Sequence, residues 1–600
     1  MEFTTIAELY SELPRLYGNN PCLAYRKKKN WVTMDTAEVM DTVDALAAGL
    51  GQLGIAKGNH ISLLSNTTRF WTIIDFAIAV SGGVNVPVYP TLTPEQTEHI
   101  ILHSESKIVF LESPVRYKKM KDFFSAHPQL HCVLINNPSG GFEKNDRVMT
   151  LDDLIAAGKE ALKKQGPGYI EKLIKSITPE DMASLLYTSG TTGEPKGVML
   201  THRNIMSNVT AGGKRLLMDE FDRSLVFLPL SHAYARTCNY IMLQSGITLY
   251  FAQNLGTIAR DIQETKPQFL VGVTRIYEKV YEGVEETARE GGAFSLSVFE
   301  WARNTAVKMS KTKSQGRAVS PFLRIQYALA DLLVYRKIKE KLGGNINFIQ
   351  SGSSATLEEI AHFYHGIGIG YVEGYGLTET SPIITAHSRS EFQVGNVGTV
   401  IDGVDIKLAP DGELLVKGPN VMKGYYKDPE ATRDSFTEDG WLLTGDICSL
   451  DERGYLTIIE RKKDLMKTTA GKYVVPQKIE MLAKQNRYIE EFIVIAEMKL
   501  YPAALIVPDI DRVRDYLKSR NIACDNGTDL LTHESVQKLF KTIIEEEINI
   551  HLANHEQIVR FRLIDKPLSI ENGTMTPTLK VRRQAINEMF EKEISEMYSS

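Results

Sequence analysis

Between residues 35 and 130, stretches with apolar side chains at helical spacing alternate with short β-rich runs, such as His60-Ile-Ser-Leu-Leu-Ser65 and Lys107-Ile-Val-Phe-Leu111. Parallel strands need a long crossover between them, so this rhythm predicts βα units on a mostly parallel sheet. It returns at residues 225–228, 248–251 and 269–273. From about residue 395 the texture changes to short alternating strands closed by Gly and Asp turns, as at 412–417 and 454–459, which predicts a small β-rich subdomain. The charged run Glu460-Arg-Lys-Lys-Asp464 reads as a boundary. Beyond it, apolar runs at 492–495 and 504–507 mix with a helical stretch at 542–551, the pattern of a compact α+β unit. The expected fold class is therefore α/β: a large N-terminal domain, 1–460, of α/β subdomains plus a small β subdomain, then a smaller α+β domain, 461–600.

Length agrees with that division, because 600 residues exceed what one hydrophobic core organises. A formal net charge of -5 argues against nucleic acid as the main partner. The five cysteines, Cys22, Cys132, Cys238, Cys448 and Cys524, form no CxxC pair, so neither a disulfide framework nor a zinc site is suggested. The N-terminal residues lack a basic segment followed by an apolar core. No stretch reaches the length of a spanning helix, the best being interrupted by Asp75 and by Ser81-Gly-Gly83. A cytoplasmic protein is expected.

The chemistry is concentrated in Tyr187-Thr-Ser-Gly-Thr-Thr-Gly-Glu-Pro-Lys-Gly197, which directly follows the apolar run 183–186. A loop rich in glycine and hydroxyls can turn N–H and O–H groups toward phosphate oxygens while its lysine supplies positive charge. The P-loop of kinases and GTPases requires Gly, four residues, then Gly-Lys-Ser/Thr. Here Pro195 follows Gly190 after four residues and Gly197 follows the lysine, so the spacing excludes that motif.

The loop instead resembles the signature of the AMP-forming adenylating enzymes: acyl-CoA synthetases, luciferases and the adenylation domains of peptide synthetases. Further segments match that superfamily in the same order along nearly the whole chain. The resemblance implies that Thr188, Ser189, Gly190, Thr191, Thr192, Gly193 and Lys196 bind the phosphates of ATP. The segment Tyr371-Val-Glu-Gly-Tyr-Gly-Leu-Thr-Glu-Thr-Ser381 resembles the second nucleotide motif. There Tyr375, between Gly374 and Gly376, would stack on adenine, Thr378 would meet the α-phosphate and Glu379 would hold Mg²⁺, a cation that favours carboxylate oxygen. Gln350-Ser-Gly-Ser-Ser-Ala355 resembles the small-residue loop, Ser353 to Ala355 with Ser354, along which the backbone approaches adenine. In Leu443-Thr-Gly-Asp446, Asp446 would accept from both ribose hydroxyls, with Arg461 beside it. Lys580, within Gly573-Thr-Met-Thr-Pro-Thr-Leu-Lys-Val-Arg-Arg583, would bridge the α-phosphate and the attacking carboxylate, stabilising charge that builds in the transition state. The resemblance also implies a mobile C-terminal domain, with its pivot at Lys463.

For the substrate, Phe227-Leu-Pro-Leu-Ser-His-Ala-Tyr-Ala-Arg-Thr237 resembles the version found in long-chain fatty acyl-CoA synthetases, those of bacteria above all. His232 would lie near the acyl carboxylate, and residues 294–345 would form the extended helical insert of long-chain members. An acyl chain offers only apolar surface, about 0.8 kcal/mol per buried methylene, so an apolar tunnel is expected. This chain departs from the pattern at Ala235, where Glu is usual, at Leu442-Leu443, and at Glu460. The loop from Thr468 to Gln477 resembles that of the CoA-using members, with Gly471 and Lys472 on the CoA path, glycine permitting close backbone approach. The implied substrates are ATP, a fatty acid and coenzyme A, with Mg²⁺. The alternatives are a fatty acyl-AMP ligase that passes its product to a carrier protein, or a CoA ligase for another acid. A homodimer is left open.

Residues 303–341 carry ten Lys or Arg against Asp331 and Glu340 alone, a local +8 in an acidic chain. Phe322, Leu323, Tyr327, Leu332 and Leu333 are interleaved with them. One reading is peripheral contact with the anionic inner face of a membrane, and the other is a solvated helical face.

Overall fold

The computed structural model describes residues 2–136, 145–188, 195–216, 223–352, 356–389, 393–522, 527–569, 572–575 and 581–599. Two large sheets dominate. The first has eight strands in the order Gly424–Tyr425, Lys196–Thr201, Met182–Thr188, Val84–Val88, His60–Leu64, Ile108–Leu111, His131–Leu134 and Val148–Thr150. Its last six are parallel where they pair, and Met182–Thr188 turns back on Lys196–Thr201 as an antiparallel hairpin. The second has nine strands and runs from Thr399–Val400 through Ile383–Ala386, Gly370–Gly376, Phe348–Gly352, Phe269–Val273, Arg223–Val226, Thr248–Phe251 and Leu23–Lys27 to Asn30–Met34. The alternation of strands and helices is thus as the sequence pattern predicts, but it is divided between two sheets. Central strands such as Ile108–Leu111 are wholly buried, as expected of parallel strands covered on both faces.

A four-stranded antiparallel sheet, Asp405–Leu408, Glu413–Lys417, Leu442–Leu450 and Leu456–Arg461, forms the small β-rich part. The short strand Gly424–Tyr425 leaves it and pairs with Lys196–Thr201 of the eight-stranded sheet. This one pairing brings the 420s beside the hairpin of Met182–Thr188 and Lys196–Thr201. One apolar core includes residues from Phe3 to Leu456, and separate cores gather Met466 to Leu563 and Ile493 to Met597. The latter two sandwich a three-stranded sheet of Ile489–Ile495, Ala503–Pro508 and Arg560–Leu563. The Arg583 guanidinium forks onto Glu480, at 3.0 and 3.1 Å, fastening the C-terminal helices to the helix Pro476–Ala483.

Two boundaries differ from the sequence reading. The segment 350–355, read as a small-residue loop, begins inside the strand Phe348–Gly352, because Gln350, Ser351 and Gly352 pair with Val271, Gly272 and Val273. The helical stretch expected at 542–551 begins earlier, at Glu534. Asp75, which interrupts the apolar run of the helix Arg69–Val80, is buried against Arg236 of the helix Ala233–Gln244. No helix among the described residues is long and apolar enough to cross a membrane.

Candidate active site

Thr188 and Lys196 face each other as partners at the mouth of the hairpin, with the Thr188 hydroxyl 3.5 Å from the Lys196 carbonyl. Ser189, Gly190, Thr191, Thr192 and Gly193, between them, lie outside the described residues, as do Ser353, Ser354, Ala355 and Lys580. What the structure does define is the frame around them. The strand Phe348–Gly352 delivers the chain to 353–355, and Gly370–Gly376 delivers it to Thr378 and Glu379 at the same ends of adjacent parallel strands. Carboxyl ends of parallel strands are where ligands bind in open α/β sheets.

Glu379 sits on a single 3-10 turn, Thr378–Thr380, that is held by buried amides. Asn208 exchanges hydrogen bonds with the Ile383 backbone, at 2.6 and 2.9 Å, and Asn420 donates to the Thr380 and Ile383 carbonyls at 3.1 and 3.0 Å. These satisfy backbone groups that a short turn cannot pair internally. Gly376 is required for the approach of the two chain segments, because a Cβ there would lie 1.6 Å from the Pro382 carbonyl oxygen.

Tyr425, which the sequence reading missed, links the two sheets. Its hydroxyl donates to Glu379 Oε1 at 2.8 Å, and the Lys196 ammonium lies 5.1 Å from its ring centroid. The Met422 N–H also donates to the Glu379 carbonyl, at 2.8 Å. Burial, followed by the neighbouring Glu379 carboxylate, pushes the Tyr425 phenol well above its ordinary range, so it stays a donor at neutral pH. The only trace of this residue in the sequence is a Gly-Tyr pair with no distinctive spacing.

A second cluster unites three expected residues. The Tyr375 hydroxyl donates to Asp446 Oδ2, and Arg461 Nε lies 3.2 Å from Asp446 Oδ1. Asp446 and Arg461 are direct partners on adjacent antiparallel strands, which explains how residues fifteen positions apart act together. Asp446 is buried, and its carboxylate is oriented from both sides. A buried, aimed carboxylate beside an aromatic face suits a vicinal diol carried on a purine.

His232 caps the helix Ala233–Gln244, its Nδ1 accepting from the Tyr234 N–H at 3.2 Å, and packs edge-on against Tyr89. Four residues on, Arg236 is buried and donates to both Asp75 oxygens, at 2.9 and 2.6 Å, and to Ser184 Oγ at 2.6 Å. Ser184 lies on the strand that ends at Thr188. The buried ion pair thereby fixes the His232 helix to the strand Met182–Thr188.

Lys463 is exposed in the turn between Leu456–Arg461 and Met466–Lys467. Glu460, three residues earlier, accepts from the Arg461 N–H at 2.9 Å and from the Gln477 N–H at 3.1 Å, clasping both sides of that turn. Gly471 has φ +76°, so glycine is demanded by the left-handed turn itself, and an added Cβ would meet nothing within 4 Å. Lys472 is exposed beside it, its N–H donating to Thr468 Oγ1 at 3.2 Å.

No cluster of three or more His, Cys, Asp or Glu side chains able to hold a metal occurs among the described residues. Glu379 by itself fits a cation such as Mg²⁺, which takes one or two carboxylates and fills its remaining positions with water and phosphate oxygens.

The chain is similar to known proteins over most of its length. Residues 12–426 match the AMP-binding enzyme family and 463–600 match the AMP-binding enzyme C-terminal domain. The chain belongs to the AMP-binding enzyme family. It is 33% identical over 575 residues, 95% of this chain and 93% of the relative, to the long-chain-fatty-acid–CoA ligase FadD15 of Mycobacterium bovis. It is 29% identical to the peroxisomal long chain acyl-CoA synthetase 7 of Arabidopsis thaliana, with 100% of this chain and 87% of that one covered. Among solved structures, the adenylation domain of a carboxylate reductase from Mycobacterium chelonae shares the fold, with TM-score 0.76, 21% identity, and coverage of 99% of this chain and 91% of that one.

Proposed function

We propose that this protein is a long-chain fatty acid–CoA ligase, joining ATP, a fatty acid and CoA into AMP, pyrophosphate and acyl-CoA through an acyl-adenylate. The observation that carries the reading is the pair of clusters on one strand exit. Tyr375, Asp446 and Arg461 form a nucleoside seat, and four residues beyond Tyr375 the Glu379–Tyr425–Lys196 group faces the phosphates. The substrate class is supported by relatives named as long-chain fatty acid ligases that align over nearly all of the chain.

In the first half-reaction a carboxylate oxygen attacks the α-phosphorus and pyrophosphate leaves. Lys196 and the hairpin between it and Thr188 orient the phosphates, Thr378 meets the α-phosphate, and Lys580 supplies charge where the pentavalent centre forms. His232, on its anchored helix, positions the acid. Magnesium, held by Glu379 when bound, would neutralise charge on the departing oxygens. Tyr425 keeps the Glu379 carboxylate aimed and the Lys196 ammonium nearby. In the second half-reaction the domain from 461 onward turns about Lys463, taking Lys580 away and bringing Gly471 and Lys472 to the CoA path. The CoA sulfur then attacks the acyl carbon and AMP leaves. Glu460, clasping both sides of the turn, opposes that rotation. A cytoplasmic location is part of this reading.

The test separates the half-reactions. Lys580→Ala abolishes pyrophosphate release from ATP and fatty acid but spares thioester formation from supplied acyl-adenylate. Equal loss of both contradicts the two-step scheme.

A further inference from the structure

The basic segment forms helices, and its exposure departs from the sequence reading. Leu323, Ala330, Tyr335 and Ile338 are buried, and the Tyr335 hydroxyl is anchored on the Ala302 carbonyl at 2.6 Å. Tyr327 is half-buried. The outward stripe is instead Phe322, Ile325, Leu329, Leu332 and Leu333, with exposures of 69, 62, 49, 56 and 49%. They lie on a continuous helical run, Pro321–Ala330, Asp331–Tyr335 and Arg336–Lys341, whose middle section is a π-helical turn. Phe322, Ile325 and Leu329 follow at spacings of three and four residues, and Leu332 and Leu333 lie three and four residues beyond Leu329, which places them along one face. Scattered exposed apolar residues are ordinary, but five along one stripe mark a surface that is covered in use.

Charge says by what. Arg336 and Lys339 are committed to Asp331, each at 3.0 Å. Arg324, Lys337 and Lys341 are exposed and have no carboxylate within ion-pair distance among the described residues. A second copy of this chain seated on the stripe would bring two such basic helices together, so the face is poorly suited to self-association. We infer that residues 321–341 form a docking face for an anionic lipid bilayer, the apolar stripe entering the acyl boundary and the free basic side chains meeting the headgroups. Because the whole chain is acidic, an anionic surface repels most of the molecule and attracts this face, which fixes the orientation of docking. The choice of lipid over an acidic protein groove rests on the proposed reaction, whose acid partitions into bilayers. The binding itself does not.

The full-length protein is sedimented with phosphatidylcholine vesicles and with vesicles of phosphatidylcholine mixed with phosphatidylglycerol. The expected result is selective binding to the mixed vesicles, weakened when ionic strength is raised several-fold. Arg324→Ser/Lys337→Ser/Lys341→Ser lowers the affinity about 100-fold. Ile325→Ser/Leu329→Ser/Leu332→Ser abolishes binding, while AMP formation from detergent-dispersed fatty acid and the melting curve are unchanged in both variants. Absence of binding, or binding indifferent to salt and to phosphatidylglycerol, overturns the inference. So does a dimer, seen by sedimentation equilibrium, that the apolar variant dissolves, or preference for polyglutamate over the mixed vesicles. Vesicle binding by a protein that makes no AMP from any acid would leave this face standing and sink the proposed reaction.

Discussion

The Tyr425 hydroxyl donates a 2.8 Å hydrogen bond to Glu379, across the junction of the two large sheets. Tyr425 lies on an edge strand of one sheet and Glu379 on the turn that joins two strands of the other, so tertiary structure and not the turn alone orients this carboxylate.

Removing that hydroxyl tests its role. A hydrogen bond to a charged group contributes about 1.5–3 kcal/mol, so Tyr425→Phe should lower kcat/KM for pyrophosphate release by about ten- to a hundred-fold. The ring beside Lys196 remains in this variant. The magnesium concentration needed for half-maximal rate should rise with the loss. A Mg²⁺ titration of pyrophosphate release that leaves both quantities unchanged removes Tyr425 from the site.

The Asp75–Arg236 pair connects residues 161 positions apart in the chain and is buried on both sides. Breaking one half of such a pair leaves an uncompensated charge, at a cost of about 3–5 kcal/mol. Arg236→Met should show this in urea unfolding, and Asp75→Leu/Arg236→Met should recover part of it. A single variant within about 0.5 kcal/mol of the parent contradicts the assignment.

The strand rhythm and the small β-rich sheet were legible because they are local: alternation and turn residues are written in consecutive positions. Tyr375, Asp446 and Arg461 could be named from their motifs, but that Tyr375 and Arg461 both hold Asp446 depends on strand pairing. Tyr425 was invisible because its partners, Glu379 on a 3-10 turn and Lys196 on another strand, are distant in the sequence. Leu323 was misjudged for a related reason. Periodicity identifies an apolar side chain without saying which of two faces packs inward, and here both faces of the helix are apolar.

Two buried groups give stability opposite pH dependences. His202 accepts the Ile6 N–H at Nδ1, at 3.2 Å, and burial pulls its pKa down to about 4. Its folded value is below the unfolded one, so its stabilising effect is present above about pH 6.5 and is lost as pH falls toward 4. Glu373, on the strand leading to Tyr375, is pushed by burial up to about 7. Its contribution is complete below the unfolded value near 4.5 and is lost as pH rises through 7. Urea unfolding between pH 4 and 8 should therefore show His202→Gln flattening the acid limb and Glu373→Gln flattening the alkaline limb. Identical pH profiles for the parent and both variants contradict these environments.

The most direct test follows the phosphorus. ATP labelled at the α-phosphate is incubated with the protein, palmitate and CoA, and the nucleotide and thioester products are resolved. The proposed reaction yields labelled AMP and palmitoyl-CoA in equal amounts, with none formed when the acid is omitted. Label recovered as ADP, or ATP left intact with every fatty acid supplied, contradicts it.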